Sequence, residues 1–264
     1  MRAMPSGLPP HRRQPHSPAS DSQTAGTPSF SPLYRQIKTL ILQSLAAGEW
    51  RPGEVIPSES ELAVRFGVSQ GTVRKALDEI AAENLVVRRQ GKGTFVASHN
   101  DPRSMFRFLS LVPLGGDLNH PKSVPLECWR AKAGAEASRM LDVEPGSTII
   151  ILRRVLKFEG KPTVLDEIYL PGDRFQGLTL ELLQSQQDSL YAFFESHFGV
   201  RMVRATERLR AVGADRDSAR ILQVPEGTPL LSVERVTYTY GEKPIEWRRG
   251  VYNTAEHFYL NELV

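Results

Sequence analysis

The stretch Ser58-Glu-Ser-Glu-Leu-Ala-Val-Arg-Phe-Gly-Val-Ser-Gln-Gly-Thr-Val-Arg-Lys-Ala-Leu77 decides the fold of the N-terminal region. Ser58 followed three residues later by Glu61 is a capping box, in which each side chain takes a backbone N–H of the other at a helix start. Leu62, Ala63 and Phe66 follow on that helix, and Gly67 stops it, because a residue without Cβ enters left-handed backbone at no steric cost. Val68 supplies an apolar contact, Ser69 is placed to cap the next helix, and Val73, Ala76, Leu77 and Ile80 form one apolar stripe. Two helices joined through Phe66-Gly-Val-Ser69 have a turn of the length a helix-turn-helix needs.

Upstream, Ser31 and Pro32 are expected to open a helix with Leu33, Ile37, Leu40, Ile41 and Leu45 at helical spacing, ended by Gly48. Arg51-Pro-Gly-Glu-Val-Ile-Pro57 is a turn-rich connector. Downstream, Asn84 ends the third helix, and 85–90, 91–93 and 94–97 are expected as strand, glycine-rich turn and strand. Helix, helix, tight turn, helix and hairpin make a winged helix-turn-helix over residues 31–98.

Past a polar connector at 99–104, residues 105–264 contain an internal repeat. Arg139, Leu141, Val143, Gly146, Arg154, Val155 and Gly160 recur at an offset of 81 as Arg220, Leu222, Val224, Gly227, Arg235, Val236 and Gly241. Each copy is expected to form a short helix, a Pro/Gly turn, a strand, a turn and a strand. Two such units make one antiparallel sheet with helices packed on it, including a helix marked by Leu190, Phe193, Phe194 and Phe198. The expected class is α+β in two domains.

Composition narrows the function. At 264 residues with 40% hydrophobic and 24% charged residues, the chain has the make-up of an ordinary soluble globular protein. The run Ser147-Thr-Ile-Ile-Ile-Leu152 ends at Arg153, far short of the roughly 18 residues a membrane span needs. The single cysteine, Cys128, closes no intrachain disulfide, and the six histidines are scattered without metal-ligand spacing, so no metal or cofactor is expected and a reducing cytoplasm fits best. Residues 1–30 hold six prolines and no apolar core, which predicts a disordered extension rather than a signal peptide. The formal net charge of +3 is carried N-terminally: residues 31–98 hold nine Lys/Arg against seven Asp/Glu, and the chain beyond 98 holds 21 against 22.

The segments Leu33-Tyr-Arg-Gln-Ile, Pro57-Ser-Glu-Ser-Glu-Leu-Ala, Val68 to Leu77 and Gln90-Gly-Lys-Gly-Thr-Phe-Val96 closely resemble the DNA-binding domain of GntR-family transcriptional regulators. A recognition helix reads bases from its first turns while its N-terminus meets phosphate. The resemblance puts those contacts at Ser69, Gln70, Gly71, Thr72, Arg74 and Lys75. Gln pairs bidentately with adenine, Arg with guanine or phosphate; many relatives carry Arg at the position of Gln70, so their guanine preference does not transfer. Arg88, Arg89, Gln90, Gly91, Lys92 and Gly93 form a cationic wing suited to phosphate or minor groove, and Arg35, Ser58, Glu59 and Arg65 complete the implied interface. Gly91-Lys-Gly-Thr94 lacks the first glycine of a phosphate-binding P-loop and sits in a hairpin.

The second region, with Asp166-Glu-Ile-Tyr-Leu-Pro171, Ser189-Leu-Tyr191 and Pro244-Ile-Glu-Trp-Arg-Arg249, resembles the UTRA effector-binding domain of the HutC-type subfamily, which has a chorismate-lyase-like fold. The resemblance implies a cleft for a small metabolite lined by Arg154, Asp166 or Glu167, Ser189, Tyr191, Glu246 and Tyr252. Relatives that hold phosphorylated sugars tend to carry Arg-x-Arg on the first strand, whereas Arg154-Val-Leu156 has one anion partner fewer. Because Arg154 recurs as Arg235, a structural role common to both repeats is an alternative; Glu246 as a surface carboxylate is another. Trp129 and Trp247 are expected in the core. The family implies a homodimeric, cytoplasmic, non-enzymatic repressor that binds double-stranded DNA at an inverted repeat. A lyase-like enzyme fused to a DNA-targeting module and a structural nucleoid protein are the competing readings, separable by turnover of chorismate and by competition with random DNA.

Overall fold

A computed structural model of the chain describes residues 31–101, 108–115, 121–186 and 188–261. The expected N-terminal extension, residues 1–30, lies outside these.

Three helices and a hairpin form the head. Helix α1 spans Leu33–Ala46, α2 Glu59–Phe66 and α3 Gln70–Ala82, and strands β1 (Val86–Arg89) and β2 (Gly93–Val96) pair antiparallel. The capping box is present as read: Ser58 N–H donates to Glu61 Oε2 at 2.8 Å, and Glu61 N–H to Ser58 Oγ at 3.3 Å. Gly67 takes the left-handed conformation, φ 65°, that lets the chain turn into α3. The start of α1 differs from expectation, since Pro32 with ψ 141° is the cap residue and Leu33 the first helical one. Ile37, Ile41 and Leu45 are buried, but Leu33 and Leu40 face outward. At 100° per residue only a stripe of α1 meets α3, and those two lie beyond its edge. Ile41, Leu62, Val73, Leu77 and Ile80 are essentially inaccessible; truncating such a side chain to alanine typically costs about 2–5 kcal/mol. Val55 adds a bridge to Phe95, so the wing has a third short edge.

The second region is one six-stranded antiparallel sheet. Its strands are β4 (Lys122–Lys132), β5 (Thr148–Phe158), β6 (Lys161–Pro171), β7 (Arg204–Gly213), β8 (Pro229–Tyr238) and β9 (Pro244–Tyr252), in the order β4-β5-β6-β9-β8-β7. That order is the sequence repeat written in space: strand, helix, hairpin on one side and the same again on the other, meeting where β6 pairs β9. The repeated helices are α4 (Ala135–Leu141) and α7 (Arg216–Leu222). Each unit therefore opens with an edge strand, β4 or β7, that the repeat pattern did not announce. Both edge strands are charged and β4 is bulged at Pro125 to Glu127, and charges along an edge deter pairing with another chain.

Helices α4 and α7 cover one sheet face, packing on Ile149 and Trp247 and on Val155 and Leu165 respectively. The other face carries α5 (Leu180–Gln184) and α6 (Leu190–Phe198) over Ile150, Leu152, Ile168 and Leu170. Strands β3 (Leu111–Pro113) and β10 (His257–Tyr259) pair beside it. Trp247 is buried as expected, whereas Trp129, on edge strand β4, is 38% exposed.

Head and sheet domain have separate cores yet belong to one compact unit from Pro32 onward. Val203 and Tyr240 of the sheet domain pack against the head's core. Among the described residues no helix is long and apolar enough to cross a membrane.

Candidate DNA-binding face and ligand cavity

On the head, the Ser69 cap sets the geometry. Thr72 N–H donates to Ser69 Oγ at 3.2 Å and the two hydroxyls are 2.8 Å apart, which starts α3 with Gln70, Gly71, Arg74 and Lys75 exposed and Thr72 half-buried. The helix N-terminus carries partial positive charge and unpaired N–H groups, a natural seat for phosphate. Lys75 Nζ stands 4.1 Å from the centre of the Tyr34 ring, and Arg35 Nε donates to the Tyr34 hydroxyl at 3.2 Å, so Arg35 and Lys75 gather into one cationic patch. In the wing, Gly91 and Gly93 have φ of 70° and 105°, and Gln90 through Gly93 are exposed at its tip. Arg89 lies over the Phe95 ring, 4.6 Å from its centre, and 3.6 Å from Asp101.

Three further residues of the implied interface, Ser58, Arg65 and Glu59, are also engaged within the head. Ser58 belongs to the capping box. Arg65 pairs with Glu49 through Nη2 at 3.0 Å and lies over Trp50 and Phe66; its hydrogen bond holds the Glu49 carboxyl below the usual range. Glu59 receives Arg74 Nε at 2.9 Å and lies 3.2 Å from Arg88, which also reaches Asp78 at 2.8 Å. Glu59 thus ties the recognition helix to the wing, a carboxylate placed between cations rather than against an anionic duplex.

In the sheet domain, a cavity of 560 Å³ opens between the α5–α6 face and the sheet. This is the size of a small-molecule site, typically about 300–1,000 Å³. Its polar lining includes Arg154 of β5, Arg235 of β8 and Arg248 of β9, with Ser189 and Tyr191 at the start of α6. The guanidiniums rest on carboxylates, of which Asp166 and Glu246 are fully buried and Glu207 partly so. Arg154 Nε and Arg248 Nη1 both donate to Asp166 Oδ2, at 3.0 and 3.2 Å. Arg248 also donates to Glu246 through Nε at 3.1 Å and Nη2 at 2.9 Å, and the Tyr191 hydroxyl donates to Glu246 Oε1 at 2.8 Å. Arg235 Nε donates to Glu207 Oε1 at 2.6 Å, and its Nη2 bonds the carbonyl of Phe108. No protein group among the described residues bonds Asp166 Oδ1, which is buried beside Gly250 and the Tyr252 ring.

Burial and the neighbouring Arg248 pull the Arg154 pKa down, whereas Glu246, Tyr191 and Asp166 hold Arg248 above its ordinary value despite its burial. Burial also pushes Tyr191 and Tyr252 up, so both stay protonated hydroxyls.

Of the expected cleft residues, Arg154, Ser189 and Tyr191 line the cavity; Asp166, Glu246 and Tyr252 are buried around it, Asp166 and Glu246 directly supporting the guanidiniums. Glu246 is fully buried, not a surface carboxylate. The expectation for Glu167 is corrected: successive strand residues alternate faces, and Glu167 lies on the opposite side, paired with Arg249 at 2.8 Å and bonded by the Tyr169 hydroxyl. The sequence reading missed Arg248 as a lining residue. The repeat's offset of 81 carries Asp166 to Trp247; only the strand register, in which Arg154 faces Asp166 across β5 and β6 and Arg235 faces Arg248 across β8 and β9, puts Arg248 where the first copy has Asp166.

The polar connector expected at 99–104 begins as a buried joint. The Ser98 hydroxyl and His99 N–H both donate to the Glu195 carboxylate on α6, the latter at 3.1 Å. Arg201, 3.7 Å from Glu195, donates from Nη1 to Leu85 O at 3.2 Å and to the Tyr240 hydroxyl at 2.9 Å, and from Nη2 to Asn84 O at 3.3 Å. Burial raises the Glu195 pKa, with the Ser98 hydrogen bond and Arg201 opposing it.

A winged helix-turn-helix joined to a cavity-bearing antiparallel domain defines a DNA-binding regulator of transcription. Residues 33–96 match the model of the bacterial regulatory proteins, gntR family, and residues 119–257 that of the UTRA domain; the chain belongs to the GntR family, among its HutC-type members. It is 27% identical to the histidine utilization repressor of Pseudomonas putida over 86% of this chain and 90% of that one. It is 28% identical to the transcriptional repressor NagR of Bacillus subtilis over 87% and 94%. The crystal structure of the ligand-binding domain of a GntR-family regulator from Bordetella bronchiseptica shares 48% identity and a TM-score of 0.58, covering 60% of this chain and 98% of that one.

Proposed function

We propose that the chain is a cytoplasmic, homodimeric repressor whose hold on an inverted-repeat operator is controlled by a small molecule in the sheet-domain cavity. The observation that carries this is the double engagement of α6. Its first turn, with Ser189, Leu190 and Tyr191, lines the cavity, while Glu195, one turn further on, grips Ser98 and His99 where the chain leaves the head. A ligand that moves Tyr191 moves the element on which the head is hung. Only a ligand with different affinity for two head placements shifts them, and operator then weakens ligand binding by the same factor as ligand weakens operator binding.

The head supplies direct and electrostatic readout, from Gln70 and Arg74 on α3 and from Lys92 on the wing. A dimer presents two such heads, so its site is two half-sites about one helical turn apart. Selection of bound duplexes from random DNA by the full chain is expected to return a short inverted repeat. An asymmetric single half-site held at full affinity defeats that part, and a cavity ligand that leaves operator affinity untouched defeats the control.

A further inference from the structure

Three facts about the cavity say what kind of molecule it takes, given that it is an effector site as proposed above. The first is charge. Three buried guanidiniums, Arg154, Arg235 and Arg248, line it, and the three carboxylates that balance them, Asp166, Glu207 and Glu246, are absent from its lining; the exposed Lys122 and Asp188 add one charge of each sign. The balance is uneven: Arg235 has Glu207 to itself and Arg248 has Glu246, but Arg154 shares with Arg248 the single oxygen Asp166 Oδ2. Arg154 is the least compensated of the three, and it lines the cavity.

The second is apolar surface. Leu152, Leu156, Leu183, Leu190, Phe108 and Phe193 line the same cavity. Ser123, Gln186, Ser189 and Tyr191 offer polar groups elsewhere in the lining, but sugar hydroxyls turned to these apolar side chains would be left without partners, and a buried hydroxyl without one costs free energy. The third is Leu156 itself. It is the second residue after Arg154 on β5, on the same sheet face, and it makes the cavity wall next to Arg154 on that strand apolar.

We infer that the effector is a small organic acid with a single carboxylate, seated on Arg154, and an apolar body lying against the leucine and phenylalanine side chains. A phosphate dianion would bring two charges where only Arg154 has no carboxylate oxygen to itself, and a neutral ligand would leave Arg154 as it is.

The test separates head from body. Thermal shift and calorimetric titration of the full chain are run with butanoate, hexanoate and octanoate, with hexanamide and hexyl phosphate as altered heads, and with gluconate as an altered body. Hexanoate is expected to raise the melting temperature, with affinity climbing about threefold to fourfold per added methylene until the cavity is filled, and hexanamide, hexyl phosphate and gluconate are expected to bind more weakly. Arg154→Ala should weaken hexanoate roughly ten- to a hundredfold. Leu156→Arg should turn the preference toward hexyl phosphate; should that variant not fold, the comparison of the ligands on the unaltered chain decides alone. Tighter binding of hexyl phosphate, gluconate or hexanamide than of hexanoate overturns the inference, and so does an absence of binding by all three acids. Operator affinity measured alongside keeps the two readings apart: hexanoate binding without change in operator affinity sinks effector control and leaves the ligand class standing.

Discussion

Replacing Arg201 by alanine tests the joint between head and sheet domain. Its guanidinium is buried and holds four partners: two backbone carbonyls where α3 gives way to the wing, at Asn84 and Leu85, the Tyr240 hydroxyl, and Glu195. Removing one member of a buried ion pair typically costs about 3–5 kcal/mol, because the other is left charged without its counter-ion. Here the stranded group is Glu195, which then holds Ser98 and His99 with an uncompensated charge. We expect Arg201→Ala to lose about 3–5 kcal/mol by urea denaturation. The head, now held to the sheet domain through Val203 and Tyr240 and through the Ser98 and His99 bonds to an unpaired Glu195, should melt in a separate step seen by the fluorescence of Trp50. In a Glu195→Gln background the same substitution should cost roughly 1–3 kcal/mol less, the penalty of the stranded group being gone, and acidification should narrow the loss in the same way. A loss under about 1 kcal/mol, with a single coincident transition, would refute the reasoning that Arg201 carries the joint.

Further outcomes follow from the same geometry. A Cβ on Gly250 would stand 2.5 Å from Tyr252 Cε1 and 2.8 Å from Asp166 Oδ1, so Gly250→Ala should destabilise by about 1–3 kcal/mol in urea; an unchanged midpoint contradicts the packing around Asp166. On DNA, Gln70→Ala should lose roughly 1–3 kcal/mol of discrimination between operator and random duplex, whereas Lys92→Ala should weaken both and lower the salt slope by about 1; equal losses on both duplexes for Gln70→Ala count against base readout. For Glu195, burial raises the folded-state pKa above the unfolded one, so its stabilising share is complete below the unfolded value and is lost as pH rises through the folded value. Unfolding curves at pH 4 and pH 7 should therefore show the unaltered chain losing stability relative to Glu195→Gln as pH rises; a gain would reverse the assigned sign.

The head was legible in the sequence because its determinants are local. A capping box closes within three residues, a glycine turn within three more, and an apolar stripe repeats every turn, so Ser58, Gly67, Ser69 and the Val73 to Ile80 face could be placed without knowing what they pack against. The repeat likewise foretold the two helix-hairpin units, since shared ancestry of pattern survives as spacing. Side-chain partners were another matter. Arg154 and Arg235 could be matched by offset, but the carboxylate each meets depends on strand register, β5 with β6 for Asp166 and β7 with β8 for Glu207, and only the pairing of β6 with β9, some eighty residues apart, brings Arg248 onto Asp166 as well. Asp166 and Glu167 are neighbours in the chain, and the parity of one strand sends the first beneath the cavity and the second to the opposite face. Ser98 and His99, read from the sequence only as the end of the head and the start of a polar connector, become the joint because Glu195 arrives from nearly a hundred residues downstream. Local propensity fixes elements through short-range hydrogen bonds and periodic burial, and only long-range packing decides which charges share a carboxylate.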